Sequence, residues 1–464
     1  MIAAPSVSYR YASPSALSSD GTGSRLSLAT SGGSTPAGEV DSPYFFQGFV
    51  ERPAVVAQAL LLLARVARTR FYVPPNALAA VLRAADPVIT ATPDGLRFEA
   101  FSVCCGVYAR LDIDAGALDI AHLAAGVTNV DVNPPLRQAL AGLRPSEPLH
   151  LRVGEEELRV ATLDDELVEE SVPLPTRWLK GFAETQVLFA GMSLRHELSG
   201  IAVSRFIQSL PRASSTKSAL WATHAGRALR LASRPTPGAV CVAGPERLRV
   251  LEPLLRFATG LRAYGPDAHS DSLPMSSAWV LEMPGARVTI GLSPEKSRGF
   301  SGEGALLTSL AADVEPEALR LVSNRLAFQS RIQPGRLAAD VGLPENDIAP
   351  ILGALASFGQ LGFDFRAEAY FHRPLPMRTE LLDDLHPRFS DARKLVEDGC
   401  VSDGGDSSYV VRSAEAQYRV VLGVDEDRCT CLWYTRHRGT RGPCKHVLAA
   451  RTWAGHAPEA ACTA

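Results

Sequence analysis

The stretch CTCLWYTRHRGTRGPCKH, from Cys429 to His446, constrains what this chain can fold into more than any other part of it. Cys429 and Cys431 are separated by one residue, twelve residues intervene, and Cys444 and His446 are again separated by one. Thiolate and imidazole are the ligands that a structural zinc prefers, and four of them close a tetrahedral site with no position left for water. The pattern predicts a binding site and not a reaction centre. Gly442 and Pro443 predict a turn that leaves Cys444 just ahead of a helix and His446 in its first turn, because deeper in a helix the two side chains would point apart. A module of about fifty residues rarely stands without a metal or another staple. One structural Zn²⁺, held by Cys429, Cys431, Cys444 and His446, is therefore expected.

The same stretch is basic. Arg428, Arg436, Arg438, Arg441, Lys445 and Arg451 fall between positions 428 and 451 with no acid among them. Three thiolates and one Zn²⁺ sum to −1, so the module carries a formal +5, whereas the whole 464-residue chain has a net charge of −3. Any attraction to nucleic acid must then be local. Trp433 and Tyr434 offer ring faces on which bases could stack, and Arg436, Arg438, Arg441 and Lys445 suit phosphate contacts. The competing reading makes Trp433 and Tyr434 the module's own apolar filling and the arginines a solvated face.

The CxC, variable loop, CxH arrangement resembles the SWIM zinc finger, and CTCLWYTRHRGTRGPCKHVLAA looks like its bacterial form. The family's ligands fall on Cys429, Cys431, Cys444 and His446. FEAFSVCCGVYARLD, TNVDVNPPLRQAL, VPLPTRWLKGF and YFHRPLP also resemble stretches of a bacterial SWIM protein family. The resemblance implies binding of DNA, other nucleic acid or protein. It also implies protein partners, a MoxR-type AAA+ ATPase and a von Willebrand factor A protein, in a conflict or quality-control assembly.

Elsewhere the chain reads as multidomain α+β, with 46% apolar and 21% charged residues. Residues 1–42 are rich in Ser, Gly, Thr and Ala without an apolar core and are expected to be a disordered tail, not a secretory signal, so a cytoplasmic location is expected. ERPAVVAQALLLLARVAR and PPNALAAVLRAAD repeat apolar residues at helical spacing and predict a helical module over 43–95. The first is too short to cross a bilayer, which takes about 20 residues, so no membrane association is expected. Residues 96–230 read as an α+β region, with a hairpin around Gly154, and 231–312 as a second one with paired strands SAWVLEM and ARVTIGL. Residues 313–375 have the helix and strand order of a winged helix, but the would-be recognition helix from Ile348 to Leu361 has no charge, which favours protein contact or internal packing over DNA. A helical connector, 376–407, with Ser390 as N-cap and Gly399 as stop, leads to the finger at 408–455 and a tail at 456–464.

No nucleophile pairs with a base, and no nucleotide-binding fingerprint appears. Cys104 and Cys105 are expected in a strand, on opposite faces. The expected function is that of a non-catalytic, zinc-binding adaptor whose finger contacts nucleic acid or a partner protein. The alternatives are an enzyme with an anion site at TRWLKGF, where Arg177 and Lys180 could grip the anion, and a purely structural subunit.

Overall fold

Strands Gly95–Phe101, Val107–Asp114 and Ala286–Leu292 are buried along almost their whole length. Side chains alternate across a strand, so burial on both faces places these three in the middle of a covered sheet. They are neighbours at the centre of a ten-stranded antiparallel sheet in the computed structural model. The model describes residues 7–9, 11, 14–19, 23–41, 43–71, 86–144, 147–154, 172–174, 176–212, 219–295, 297–311, 314–375, 386–414, 416–423 and 426–456. The sheet runs from Ser193–Ser199 at one edge through Gly260–Gly265, Ser277–Met283, the three central strands, Val88–Thr92 and Gly126–Asn129 to Gly33–Thr35 and Gly38–Val40.

One face of the central strands presents Leu96, Phe98, Leu111, Ile113, Val288 and Ile290 to a core shared with the helix Pro53–Arg68. The other face carries charge. Arg97 and Arg110 donate to Asp112 at 3.0 and 2.9 Å, and Arg287 donates to Asp114 at 2.7 Å. Such groups are tolerated inside only because they pair.

A second sheet of five strands runs Leu118–Leu123, Phe46–Val50, Leu149–Val153, Ser24–Leu28 and Ala16–Ser19, with Leu149–Val153 parallel to Ser24–Leu28. These strands correct the expectation of a disordered tail. Leu26 and Leu28 are buried, and partners more than a hundred residues away satisfy the backbone of this polar segment. The helical module over 43–95 is also corrected: Pro53–Arg68 is a helix, but Phe46–Val50 and Val88–Thr92 are strands of the two sheets. The second expected helix of that module lies outside the described residues. The regions 96–230 and 231–312 are not separate, because Val107–Asp114 pairs directly with Ala286–Leu292. Of the hairpin at Gly154, only the arm Leu149–Val153 is described, while SAWVLEM and ARVTIGL pair as expected around Gly285, at φ +73°. Cys104 and Cys105 lie in a turn between strands, where Cys105 has φ +56°, and not in a strand.

The chain divides into two compact units, one comprising Met1–Gly181, Gly191–Phe300 and Phe328–Ser330, the other Phe182–Ala190, Ser301–Ala327 and Arg331–Ala464. In the second unit, helices Pro316–Arg325, Pro334–Val341 and Glu345–Ser357 precede the hairpin Leu361–Asp364 and Ala369–His372. The uncharged part of Glu345–Ser357 buries Ile348, Ile351, Leu352 and Leu355 in the core of this subassembly. The helix Pro387–Glu397 has His386 at its N-cap position, so Ser390 lies within it and is not its cap, while Gly399, at φ +63°, ends it as expected. Among the described residues no helix is long and apolar enough to cross a membrane.

Leu352 is 3% exposed. Leu352→Ala is expected to lower the stability of the second unit by about 2–5 kcal/mol, read as an earlier urea midpoint.

Candidate metal centre and its basic surface

The hairpin Ser408–Ser413 and Ala416–Val421 extends to a short strand, Arg428–Cys429, in which Cys429 pairs with Val420. Strand pairing thus fixes the first ligand. Cys431 is the N-cap of the helix Leu432–His437, and its sulfur accepts from the Tyr434 N–H at 3.4 Å. Cys429 Sγ accepts from the Cys431 N–H at 3.5 Å. Cys444 stands just ahead of the helix Lys445–His456 and takes a hydrogen bond from the Val447 N–H, while His446 lies in the helix's first turn. Each sulfur therefore has a backbone donor aimed at it, which favours its anionic form.

The four ligand atoms lie within 4.8 Å of one another, and all four residues are buried. Cys429 Sγ is 3.9 Å from His446 Nδ1, close to the edge of a tetrahedron with ligand bonds of about 2.0–2.3 Å. The His446 ring stacks on Tyr418 at 4.1 Å and 21°. Its buried Nε2 has no hydrogen-bond partner among the described residues. The hydrogen bond between Cys444 and Cys429 drives the two thiols apart, Cys444 downward and Cys429 upward. Three crowded sulfurs cannot all ionise unaided, and a divalent cation removes that conflict. The donor set fits one structural zinc ion, with no ligand position left open.

This centre is part of a larger core. Cys429, Cys431 and Cys444 pack with Val411, Val420, Val447 and Leu448, and also with Ala392 of the helix Pro387–Glu397 and with Leu306 and Leu307. Arg388 from that helix donates to the carbonyls of Arg441 at 2.7 Å and Pro443 at 3.0 Å, holding the turn that delivers Cys444. Burial first, then the nearby Arg441, lowers its pKa. Glu184 accepts from the N–H of Ala305, beside Leu306, and also from those of Gly304 and Leu306.

The six basic residues separate into two groups. Arg451 makes two hydrogen bonds to Asp427 at 2.7 and 2.9 Å, and Lys445 lies 3.7 Å from Asp391. The Arg441 and Arg388 guanidinium groups lie 5.1 and 4.8 Å from the centre of the Trp433 ring, and the ring also lies 4.4 Å from His437. Tyr434 donates its hydroxyl to Glu426 at 2.8 Å. Trp433 and Tyr434 are half-buried and pack on the module's core. Arg428, Arg436 and Arg438 are exposed and make no ion pair among the described residues. Arg388, Asp427 and Asp391 escaped the sequence reading, since their role depends on partners outside the cysteine spacing. At TRWLKGF, Arg177 sits beside Cys105, whose thiol donates to the Arg177 carbonyl at 3.4 Å, and Lys180 is half-buried on the same helix.

Residues 418–450 match the family model of the SWIM zinc finger. No curated protein matches this sequence. Among solved structures, the proliferating cellular nuclear antigen of Entamoeba histolytica is similar at 10% identity over 54% of this chain and 99% of that one, with a TM-score of 0.32. The PCNA2–PCNA3 complex of Sulfolobus tokodaii is similar at 9% identity over 53% of this chain and 98% of that one, with a TM-score of 0.31. At scores this low the likeness carries no argument.

Two outcomes are expected. Purified protein holds one zinc per chain, and Cys429→Ser releases it. Structural zinc in finger peptides is worth about 10–16 kcal/mol of folding free energy. Hydrogen exchange in the variant should accordingly lose protection across the finger and the helix Pro387–Glu397, which share a core. The second outcome concerns Glu184, whose pKa burial raises from 4.5 to about 8. The folded state keeps this proton while the unfolded state loses it, so stability falls as pH rises from about 4.5 toward 8. Comparing urea midpoints over that range, Glu184→Gln should remove this part of the slope.

Proposed function

We propose that the chain is a bacterial, cytoplasmic adaptor whose zinc-clamped finger contacts nucleic acid through Arg428, Arg436 and Arg438. The observation that carries this reading is the division of the six basic residues: three are engaged within the protein, and three are exposed without an acidic partner among the described residues. Arg436 and Arg438 close the helix Leu432–His437, with Arg438 at φ +43°, on a segment that begins at the ligand Cys431. A clamped backbone presents these guanidinium groups at reduced entropic cost, as preorganised contacts do. Trp433, packed on the finger's core with Arg388 and Arg441 against its ring, serves as internal filling, so phosphate contact and not base stacking is the finger's contribution.

Leu432 supports a second reading. It is 72% exposed at the start of the same helix, an apolar group better suited to a protein partner than to phosphate. In that reading the finger docks a protein, and the resemblance noted above points to an assembly with a MoxR-type AAA+ ATPase and a von Willebrand factor A protein. The winged-helix-like unit belongs with internal packing or protein contact, in keeping with the uncharged stretch of its third helix that buries Ile348, Ile351, Leu352 and Leu355. A binding role and not catalysis is favoured by the closed ligand set of the metal centre.

The salt dependence of oligonucleotide affinity separates the two readings. Changing Arg428, Arg436 and Arg438 together to Ala should flatten the slope of log affinity against log salt by about 2–3, at roughly 0.7–0.9 per lost phosphate contact, with zinc retained. An unchanged slope would contradict the nucleic-acid reading, and loss of a protein partner by Leu432→Ser would favour the other.

A further inference from the structure

The five-stranded sheet of the first unit carries a second, differently built surface. Its inward face places Phe46, Val50, Leu149, Leu151, Val153, Leu26 and Leu28 in the core. The register sets the outward residues in two cross-strand rows. Asp119, Phe49, His150 and Arg25 form one, and His122, Gln47, Arg152 and Ser27 form the other. Phe49 is 47% exposed and meets the His150 ring edge-on at 5.0 Å. Tyr44, just ahead of the strand Phe46–Val50, stacks on His122 at 4.4 Å and 5°, and the Arg152 guanidinium lies 5.5 Å above the Tyr44 ring. Asp119 is the one acid in the two rows, against Arg25 and Arg152. His122 Nε2, His150 Nδ1 and Arg152 Nε are themselves buried and have no hydrogen-bond partner among the described residues.

We propose that this face is a binding platform for single-stranded nucleic acid, in which the exposed Phe49 ring stacks on a base and Arg25 and Arg152 contact phosphates, with Tyr44 and His122 packed beside them as support. Interleaved rings and cations are what a single strand requires, since every base has a face to stack and every nucleotide a charge to neutralise. The rows lie two residues apart along the strands, roughly 6.7 Å. That spacing suits bases splayed apart on a sheet better than the roughly 3.4 Å repeat of a stacked duplex strand. Burial, then Arg25 and Arg152, depress the His150 pKa. Its imidazole is therefore neutral near pH 7 and adds no charge to the face. The platform lies in a different unit from the finger, so it stands or falls independently of the reading given to Arg428, Arg436 and Arg438.

The test uses the full-length, zinc-loaded protein already changed to Ala at Arg428, Arg436 and Arg438, so that the finger's contribution is absent. Fluorescence anisotropy with a labelled 15-nucleotide oligo-dT, an oligo-U of the same length and a 15-base-pair duplex reads the affinities at low salt. The single strands should bind more tightly than the duplex. Phe49→Ala should weaken the single strands by about 5- to 160-fold, the loss expected for one stacked base. Changing Arg25 and Arg152 together to Gln should lower the single-strand salt slope by about 1.4. Should Phe49→Ala melt early, Phe49→Leu, which keeps the bulk and removes the ring, replaces it with the same expected direction. Absence of single-strand binding, affinity unchanged in both sets of variants, or equal loss toward the duplex would each overturn the proposal.

Discussion

Everything at the C-terminal end of this protein depends on bringing three sulfurs and one imidazole within 4.8 Å of one another inside the fold. Such a cluster is repulsive when ionised, and only a cation reverses the sign. The polypeptide prepares for that cation with modest means. A strand end places Cys429, a helix cap places Cys431, and a turn stapled by Arg388 places Cys444 and His446. Each of these local structures would be marginal alone, since the helix Leu432–His437 has only 6 residues. The metal joins them.

The ligands were legible in the sequence because their spacing is local and their chemistry specific. The electrostatics of the surface were not, because charge counted along a window ignores partners outside it. Asp427 lies one residue before that window and Asp391 more than fifty before Lys445, yet both engage cations that the count had left free. Trp433 was equally undetermined: a ring that stacks on bases and a ring that fills a core look alike until Arg388 and Arg441 are found packed against it. What survives of the +5 is narrower and more specific, three exposed guanidinium groups.

In the body of the protein, the strongest short-range patterns are legible in the sequence and the long-range pairings are not. The helix Pro53–Arg68 and the hairpin of Ser277–Met283 with Ala286–Leu292 announce themselves by periodicity and by a Pro-Gly turn. The strand Ser24–Leu28 does not, since two leucines among serines give little signal, and its pairing with Leu149–Val153 is parallel and remote. The same limit hid the ten-stranded sheet, whose central partners are separated by some 175 residues. The buried row of Arg97, Asp112 and Arg287 was invisible for the same reason, as each charge looks like surface until its cross-strand partner arrives.

The most direct test of this account is X-ray absorption spectroscopy at the zinc edge on protein purified with its native metal. Three sulfur neighbours at about 2.3 Å and one nitrogen at about 2.0 Å are expected, with no light-atom water ligand. That result would mean that Cys429, Cys431, Cys444 and His446 close a structural centre on which the finger's basic surface is mounted. A five- or six-coordinate metal with oxygen neighbours, or a site with fewer than three sulfurs, would contradict it.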